Sequence, residues 1–157
     1  MRILTVRQPW AWAIIHGGKT VENRVRNIAG DYRGPVLIHA AKNTGTWNEC
    51  EAALQAIHLI AGEDARAEFL RSPRGAIIGV VDLVDVHLGS QRPGHCWHDD
   101  RGMQKRCSVW GEDEAFHLVL ANPRALTEPI PYQGALGLRR VDAETILAVT
   151  RQIGRVS

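Results

Sequence analysis

The sequence predicts one α+β domain, built most economically as a small, partly closed β-barrel of five or six strands with helices packed around it. Three observations predict this class. Short segments rich in β-branched and apolar residues recur along the 157 residues. Amphipathic helical segments lie between them rather than in a separate block. No repeat, low-complexity tract or linker divides the chain, so we expect residues 1–157 to fold as a single domain.

The first 41 residues predict strands around a short helix. Residues 2–6 alternate in polarity and are rich in β-forming residues, which predicts the first strand. Residues 10–16 form an apolar helical stretch after Pro9, a residue that a first helical turn tolerates, and a glycine pair ends it. An extended segment covers residues 19–26, and residues 32–41 predict the next strand.

The middle of the chain predicts two helices and the longest strand. Apolar side chains at helical spacing predict a helix over residues 46–61, with Thr46 as the N-cap of a capping box. Residues 63–70 predict a second helix that ends at a turn containing proline and glycine. Residues 76–88 form the longest run of strand-favouring residues, and Asp82 interrupts it.

The last third predicts a long loop, two strands and a helix. Residues 89–114 are poor in apolar side chains, and loops of this length in a compact domain are usually functional or mobile. Residues 116–120 predict a strand, three prolines follow it, and residues 135–141 predict a closing strand. Asp142 is placed to cap a final helix that runs to about residue 151.

Composition excludes several classes of protein. Apolar residues make up 45% of the chain and charged residues 23%, which is ordinary for a globular protein and unlike a disordered one. No apolar run approaches the roughly 20 residues that a membrane helix needs. The first ten residues lack the charged head and apolar stretch of a signal peptide. We therefore expect a cytoplasmic protein that does not bind membranes.

The charge is distributed unevenly. The 19 basic and 17 acidic side chains give a formal net charge of +2, which excludes a polybasic protein that binds nucleic acid through bulk charge. Residues 1–42 nevertheless hold seven basic side chains against two acidic ones, or +5, which leaves −3 for the rest. A local field of this kind favours anionic partners. Arginines scattered over the surface by accident are the alternative explanation.

The densest polar cluster directly follows the glycine pair. Lys19, Glu22, Asn23 and Arg24 lie within six residues. On an extended segment Glu22 and Arg24 share one face, whereas Lys19 lies on the other unless a turn reorients it. An ion-paired Glu22 would hold the guanidinium for bidentate recognition of a phosphate or a base edge. A solvated strand start with a weak surface ion pair is the alternative.

Three segments carry a family pattern: residues 4–11 (LTVRQPWA), residues 17–24 (G-x-K-x-x-E-x-R) and residues 32–42 (YRGPVLIHAAK). Together they resemble the ASC-1 homology (ASCH) domain family. The later strands follow the order of the family as well, so that the resemblance spans nearly the whole chain. It implies a PUA-like β-barrel with helices over one opening. It also implies a cleft, lined by the first helix and residues 19–24, that binds RNA or a nucleotide.

Residue chemistry fits such a cleft. Basic side chains can contact phosphates, amides can pair with base edges, and aromatic rings can stack on bases. We predict single-stranded RNA or a nucleotide-like small molecule as the ligand. The predicted ligand-binding residues are Arg7, Gln8, Trp10, Lys19, Glu22, Asn23, Arg24, Tyr32 and Lys42.

A hydrolase that uses the same cleft is the alternative function. The resemblance extends to a distant enzyme branch that hydrolyses N4-acylated cytosine nucleosides with a Lys, a Thr and a Glu. The Lys matches Lys19, but the Thr falls on Glu22, which is not a hydroxyl nucleophile. If the protein is an enzyme, Lys19 activates the water or the ligand and Glu22 acts as general base. A metal-independent ribonuclease is the other enzymatic option, and a protein-interaction adaptor that uses residues 89–114 is the third.

Cysteine and histidine spacing predicts neither a metal site nor a cofactor. Cys50, Cys96 and Cys107 cannot all pair within one chain, so we expect free thiols. His95 and His98 lie beside Cys96, but the spacing of this group to Cys107 matches no zinc-binding pattern.

Three further residues receive expectations of their own. We expect Trp12 to lie in the core and His39 to be hydrogen-bonded within a strand, without a catalytic role. Asp82 interrupts an apolar strand, and an inward carboxylate near Lys19 would be a partner with a perturbed pKa.

Overall fold

The computed structural model of the protein describes residues 1–43, 47–62, 64–90 and 107–154. The elements are β1 (Arg2–Val6), α1 (Trp10–Ile15), β2 (Val21–Arg24), β3 (Gly34–Ala40), α2 (Trp47–Ala61), α3 (Asp64–Leu70), β4 (Ala76–Leu88), β5 (Phe116–Pro131), β6 (Leu138–Arg140) and α4 (Ala143–Ile153). The six strands form one curled sheet in the order β2-β5-β4-β3-β1-β6. This confirms the predicted α+β class and the partly closed barrel. None of the described helices is long and apolar enough to cross a bilayer.

One parallel pair lies within an otherwise antiparallel sheet. β1 runs parallel to β3, with Leu4 opposite Ile38 and Val6 opposite Ala40. The other paired strands are antiparallel. Because parallel strands end at the same edge of a sheet, the chain that follows β1 and the chain that follows β3 are neighbours. A hydrogen bond of 2.9 Å from the Ala41 amide to the Val6 carbonyl joins them.

β5 is much longer than the strand predicted over residues 116–120. It continues to Pro131 in spite of its prolines. The register against β4 shifts between Val80 and Asp82, so that Asn122 and Pro123 form a bulge. β2 pairs with residues 116–119, and the rest of β5 has no partner strand on that side among the described residues. Prolines are tolerated at bulges and on open edges because no ladder bond needs their missing N–H group.

Other boundaries lie close to the prediction. Asp142 caps α4 as expected, since its carboxylate accepts a hydrogen bond of 2.8 Å from the Thr145 amide. The closing strand is shorter than predicted and covers only Leu138–Arg140. The predicted cap at Thr46 and most of the predicted long loop, residues 91–106, lie outside the described residues.

α1 is held between the sheet and the α2–α3 layer. Ala11, Ile14 and Ile15 pack into one apolar cluster with strand residues. Trp12, on another side of the helix, is buried against Ile57 of α2 and other aromatic side chains, which confirms its predicted place in the core. A third apolar cluster joins α4 to the sheet. α1 thereby becomes a rigid support for residues at its amino terminus.

Gly79 on β4 allows α1 and β5 to approach closely. A Cβ atom at this position would lie 2.6 Å from Cδ1 of Ile15 and 2.7 Å from the carbonyl oxygen of Arg124. Both distances are shorter than van der Waals contact, and the carbonyl belongs to backbone that cannot swing away.

We expect Gly79→Ala to lower the free energy of unfolding by about 1–3 kcal/mol through overpacking. Urea denaturation of both proteins measures the change. Ile15→Val removes the nearer methyl group, so that the double variant should recover part of the loss while the contact with the Arg124 carbonyl remains. Wild-type stability in Gly79→Ala would contradict the close approach.

Candidate functional site

An open cleft of about 1430 Å³ lies at the edge where β1 and β3 end. It is lined by residues 5–10, Glu22, Arg24, His39, residues 41–43, Gly75 and residues 131–137. The chain after β1 therefore forms one wall, the chain after β3 adds to it, and the segment between β5 and β6 completes the lining. No ligand-binding residue was predicted from the sequence in this last segment, because it bears no charged residue.

Six of the nine predicted ligand-binding residues line the cleft: Arg7, Gln8, Trp10, Glu22, Arg24 and Lys42. Three basic side chains thus accompany one carboxylate in the lining. Arg7 and Lys42 are exposed and Trp10 is half-buried, so that these three side chains are accessible from the cleft. Their role in ligand binding stays a prediction.

Glu22 joins two basic side chains from its place on β2. Its Oε1 atom lies 3.0 Å from the Nη2 atom of Arg24, which confirms the ion pair expected from their shared face. Its Oε2 atom lies 3.7 Å from the ammonium of Lys19. Arg24 also donates to the Thr5 carbonyl at 3.1 Å, which fixes the guanidinium beside β1. The glycine turn at Gly18, with a φ of 70°, comes directly before Lys19.

Lys19 is buried and enclosed, with only 5% of its surface exposed, and does not line the cleft itself. Its ammonium donates to the Val21 carbonyl and lies 5.3 Å from the ring centre of Trp10 and 5.5 Å from that of Trp110. Burial lowers the pKa of Lys19 below its usual value, and the charge of Glu22 opposes this shift. Carboxylate, carbonyl and two aromatic faces together compensate a buried cation.

Trp110 is another residue of the site that the sequence analysis did not predict. Its ring meets Trp10 edge to face, with ring centres 6.1 Å apart, and its Nε1 atom donates to the Gly18 carbonyl at 3.0 Å. The residue lies within the polar stretch predicted as a loop, and no local pattern distinguishes it there. Asn23 holds this segment in place, because its side chain donates to the Trp110 carbonyl at 2.8 Å and accepts from the Glu112 amide at 3.1 Å.

Gln8 and Tyr32 bind backbone groups of the protein itself. Gln8 is buried, and its side chain accepts from the Trp12 amide at 3.0 Å and donates to the Pro73 carbonyl at 3.2 Å. Tyr32 is outside the cleft lining, and its hydroxyl donates to the Pro35 carbonyl at 2.7 Å. These contacts make both residues supports of the site in this structure.

The expectation that Asp82 pairs with Lys19 is wrong. The Asp82 carboxylate instead accepts hydrogen bonds from Arg124 and, at 2.9 Å, from Asn122. Both partners lie on β5, the strand next to β4, and both follow the stretch of β5 that the sequence predicted as a strand. The long β5 was not foreseen, so neither was this pairing.

His39 is hydrogen-bonded on both sides of its ring, as expected. Its Nε2 atom lies 3.0 Å from the Tyr132 carbonyl and its Nδ1 atom 3.2 Å from the Thr5 hydroxyl. The carbonyl can only accept, so Nε2 carries the proton of the neutral ring. Burial lowers the pKa of His39, and the hydrogen bond to Tyr132 partly opposes that shift.

We expect the free energy of unfolding to fall as the pH drops below 6.5, the ordinary pKa of histidine. The unfolded chain takes up a proton there, while the folded chain resists it until the lowered pKa of His39 is reached. His39→Gln removes this contribution, so the loss between about pH 7.5 and about pH 5.5 should be smaller in urea denaturation. Burial also lowers the pKa of His16 and of His117, so part of the loss remains. Equal losses in both proteins would refute the assignment to His39.

A curled sheet with a parallel β1–β3 pair, helices around it and a cleft at one edge defines a PUA-like α+β protein. The family model of the ASCH domain matches residues 4–130. The chain therefore belongs to the ASCH domain family, as its first 42 residues predicted.

Similar proteins are known from two mammals. Activating signal cointegrator 1 from Homo sapiens is 26% identical over 143 residues, and its counterpart from Mus musculus is 25% identical over the same length. Each alignment covers 90% of this chain but 22% of the relative. The chain thus spans about a fifth of the length of these relatives.

Two solved structures share the fold. The crystal structure of a mutant ZmASCH protein from Zymomonas mobilis matches with a TM-score of 0.54 and 16% identity, and the match covers 96% of each chain. The crystal structure of ASCH from Zymomonas mobilis has a TM-score of 0.52 and 16% identity, with 99% of this chain and 97% of that chain covered. At this identity the likeness establishes the fold alone.

Proposed function

We propose that the protein is an ASCH domain that binds single-stranded RNA in its basic cleft. One observation carries the proposal: among the described residues of the lining, three basic side chains accompany a single carboxylate, which is ion-paired with Arg24. Basic side chains therefore outnumber carboxylates in the described lining, and Lys42 is exposed there. A cleft with excess positive charge attracts the phosphates of nucleic acid.

The size of the cleft supports an extended strand. Pockets for small ligands usually measure about 300–1,000 Å³, whereas this cleft measures about 1430 Å³. A single nucleotide would leave much of that space to water. Several linked nucleotides would reach both the basic side chains and the ring of Trp10.

Trp10 supplies a stacking surface in this proposal. The ring lines the cleft and is half-buried, and the edge-to-face contact with Trp110 holds it in place. Stacking of a base on an aromatic side chain contributes about 1–3 kcal/mol and does not depend strongly on sequence. The proposed binding therefore combines phosphate contacts with stacking and has modest sequence preference.

The proposed unit is the whole chain of 157 residues. The family model ends at residue 130, but β6 pairs with β1 and α4 packs against β5. The segment 131–137, which completes the cleft, also lies beyond the matched region. We therefore propose that one ASCH domain extends over all of these elements.

We expect Arg7→Ala and Lys42→Ala each to weaken the binding of a fluorescein-labelled single-stranded RNA. Each should also lower the slope of log K against log salt concentration by about 0.7 for the phosphate contact that it loses. Fluorescence anisotropy at a series of salt concentrations measures both quantities. Trp10→Ala should weaken binding but leave the salt slope unchanged.

Arg151→Ala is the matched control, because this exposed arginine of α4 carries the same charge outside the cleft lining. It should behave like the wild-type protein. Unchanged affinity and slope in both Arg7→Ala and Lys42→Ala would refute the cleft as the binding site. Displacement of the RNA by an equal concentration of cytidine monophosphate would assign the cleft to a nucleotide instead.

A hydrolase at Lys19 and Glu22 is the second candidate function. The lowered pKa of a buried lysine, 3.7 Å from a carboxylate, is the observation that favours it. Glu22 would take a proton from water as the water oxygen attacks the amide carbon of an N4-acylated cytidine. It would return that proton to the N4 nitrogen as the C–N bond breaks, which releases cytidine and the carboxylic acid. Lys19 does not line the cleft, so its ammonium would hold the Glu22 carboxylate in position without contacting the substrate.

This candidate predicts that the wild-type protein converts N4-acetylcytidine to cytidine and acetate, and that Glu22→Gln and Lys19→Met do not. Chromatography of the reaction mixture separates substrate and product. A labelled single-stranded RNA incubated in parallel tests for ribonuclease activity. Wild-type protein that binds RNA but leaves both substrates intact would eliminate the enzymatic candidate.

A further inference from the structure

Three side chains with metal-binding atoms meet beside the start of β5. They are His87 of β4, His117 of β5 and Cys107, which precedes β5. One nitrogen of each imidazole and the sulfur all lie within 4.8 Å of one another. The sulfur is 3.2 Å from Nδ1 of His117, and the two ring centres are 5.4 Å apart. Ligand atoms around a tetrahedral zinc ion are about 3.5 Å apart, so small shifts suffice to enclose one.

The two histidines are paired by the sheet itself. His87 and His117 are directly opposite each other in the β4–β5 register, which places their side chains on one face. The spacing of the two histidines in the sequence does not indicate that they are neighbours, because they belong to different strands. The prediction of no metal site considered only Cys107 together with neighbours in the long loop.

His117 is buried, and a backbone carbonyl group fixes the orientation of its ring. Its Nε2 atom lies 2.8 Å from the Glu112 carbonyl, which can only accept, so Nε2 carries the proton. The lone pair is then on Nδ1, the atom next to the sulfur. A Cβ atom at Gly89 or at Gly111 would lie 2.3 Å or 2.6 Å from the ring. Two glycines therefore leave room for the ring where it sits.

His87 has a buried nitrogen without a hydrogen-bond partner in the described part of the chain. Its Nδ1 atom lies 2.7 Å from a carboxylate oxygen of Asp85, so Nδ1 donates its proton there. The lone pair is left on Nε2, which is buried and makes no hydrogen bond among the described residues. Buried polar atoms of this kind are rare. A carboxylate that orients a histidine is also the usual partner of a metal ligand.

We propose that His87, Cys107 and His117 bind one zinc ion, with the fourth position open to water or to another ligand. Two imidazole nitrogens and one thiolate form a borderline-soft donor set that suits zinc. The ion would give the buried Nε2 atom of His87 a partner. Cys107 is exposed, so an ion can reach the site from solvent.

The zinc site is separate from the cleft, because none of its three residues lines it. It would tie the segment from residue 107 to β5 onto the end of β4. That segment carries Trp110, which covers Lys19. The ion would therefore help to hold Trp110, one of the two aromatic rings beside the Lys19 ammonium. Zinc binding does not depend on the proposed RNA function.

Cobalt titration of the full chain, first stripped of metal with a chelator, tests the proposal. We expect one equivalent of Co²⁺ to bind, with a thiolate-to-cobalt absorption in the near ultraviolet, and Zn²⁺ to displace it. Cys107→Ser should abolish that absorption. Competition with a chromophoric chelator should show at least about a 10-fold loss of zinc affinity in His87→Asn, and about 10-fold in Asp85→Asn.

Cys50→Ser and His58→Asn are the matched controls, since both residues lie on α2 away from the cluster and should leave zinc affinity unchanged. Zn²⁺ should also raise the thermal unfolding midpoint of the wild-type protein but not that of Cys107→Ser. The proposal is overturned if the wild type shows no thiolate absorption with Co²⁺ or if Cys107→Ser keeps it. Loss of the absorption in Cys96→Ser with retention in Cys107→Ser would also overturn it.

Discussion

The burial of the Lys19 ammonium is the constraint on which the rest of the site depends. A charged group inside a protein must find compensation close by, or it loses its charge. Glu22 supplies the opposite charge, and the Val21 carbonyl and two indole rings complete the surroundings. One of those rings, Trp110, belongs to a segment far along the chain. Enclosing one lysine therefore links the first quarter of the sequence to the residues before β5.

The same arrangement gives the cleft its positive charge. Glu22 is shared between Lys19 and Arg24, so the carboxylate in the lining is already matched by two cations. The parallel pairing of β1 and β3 brings the chain segments with Arg7 and Lys42 to one edge of the sheet. A chain with a formal charge of only +2 thus has three basic side chains and one carboxylate in the described part of its cleft lining. Local separation of charge, and not its total, supports an anionic ligand.

Some contacts could be predicted from the sequence because they join residues that are close together along the chain. Glu22 and Arg24 are two residues apart on a strand, so their ion pair follows from strand geometry alone. The side-chain cap of Asp142 on α4 is local in the same sense. Gln8 and Asn23 were expected to face a ligand, but they find partners 65 and 87 residues away. Short-range patterns do not contain such partners, and so the positioning role of these amides was not visible.

The order of the residues alone predicted the fold class, the family and the basic character of the first 42 residues, because hydrophobic periodicity and a contiguous motif are properties of neighbouring residues. Which side chains lie together became visible in the folded chain. In the structure β5 continues through its prolines, Asp82 accepts a hydrogen bond from Arg124, and the Trp110 ring lies beside the Lys19 ammonium. His87 also lies opposite His117. Strand register and the packing of distant segments create these contacts, and both arise only when the chain has folded.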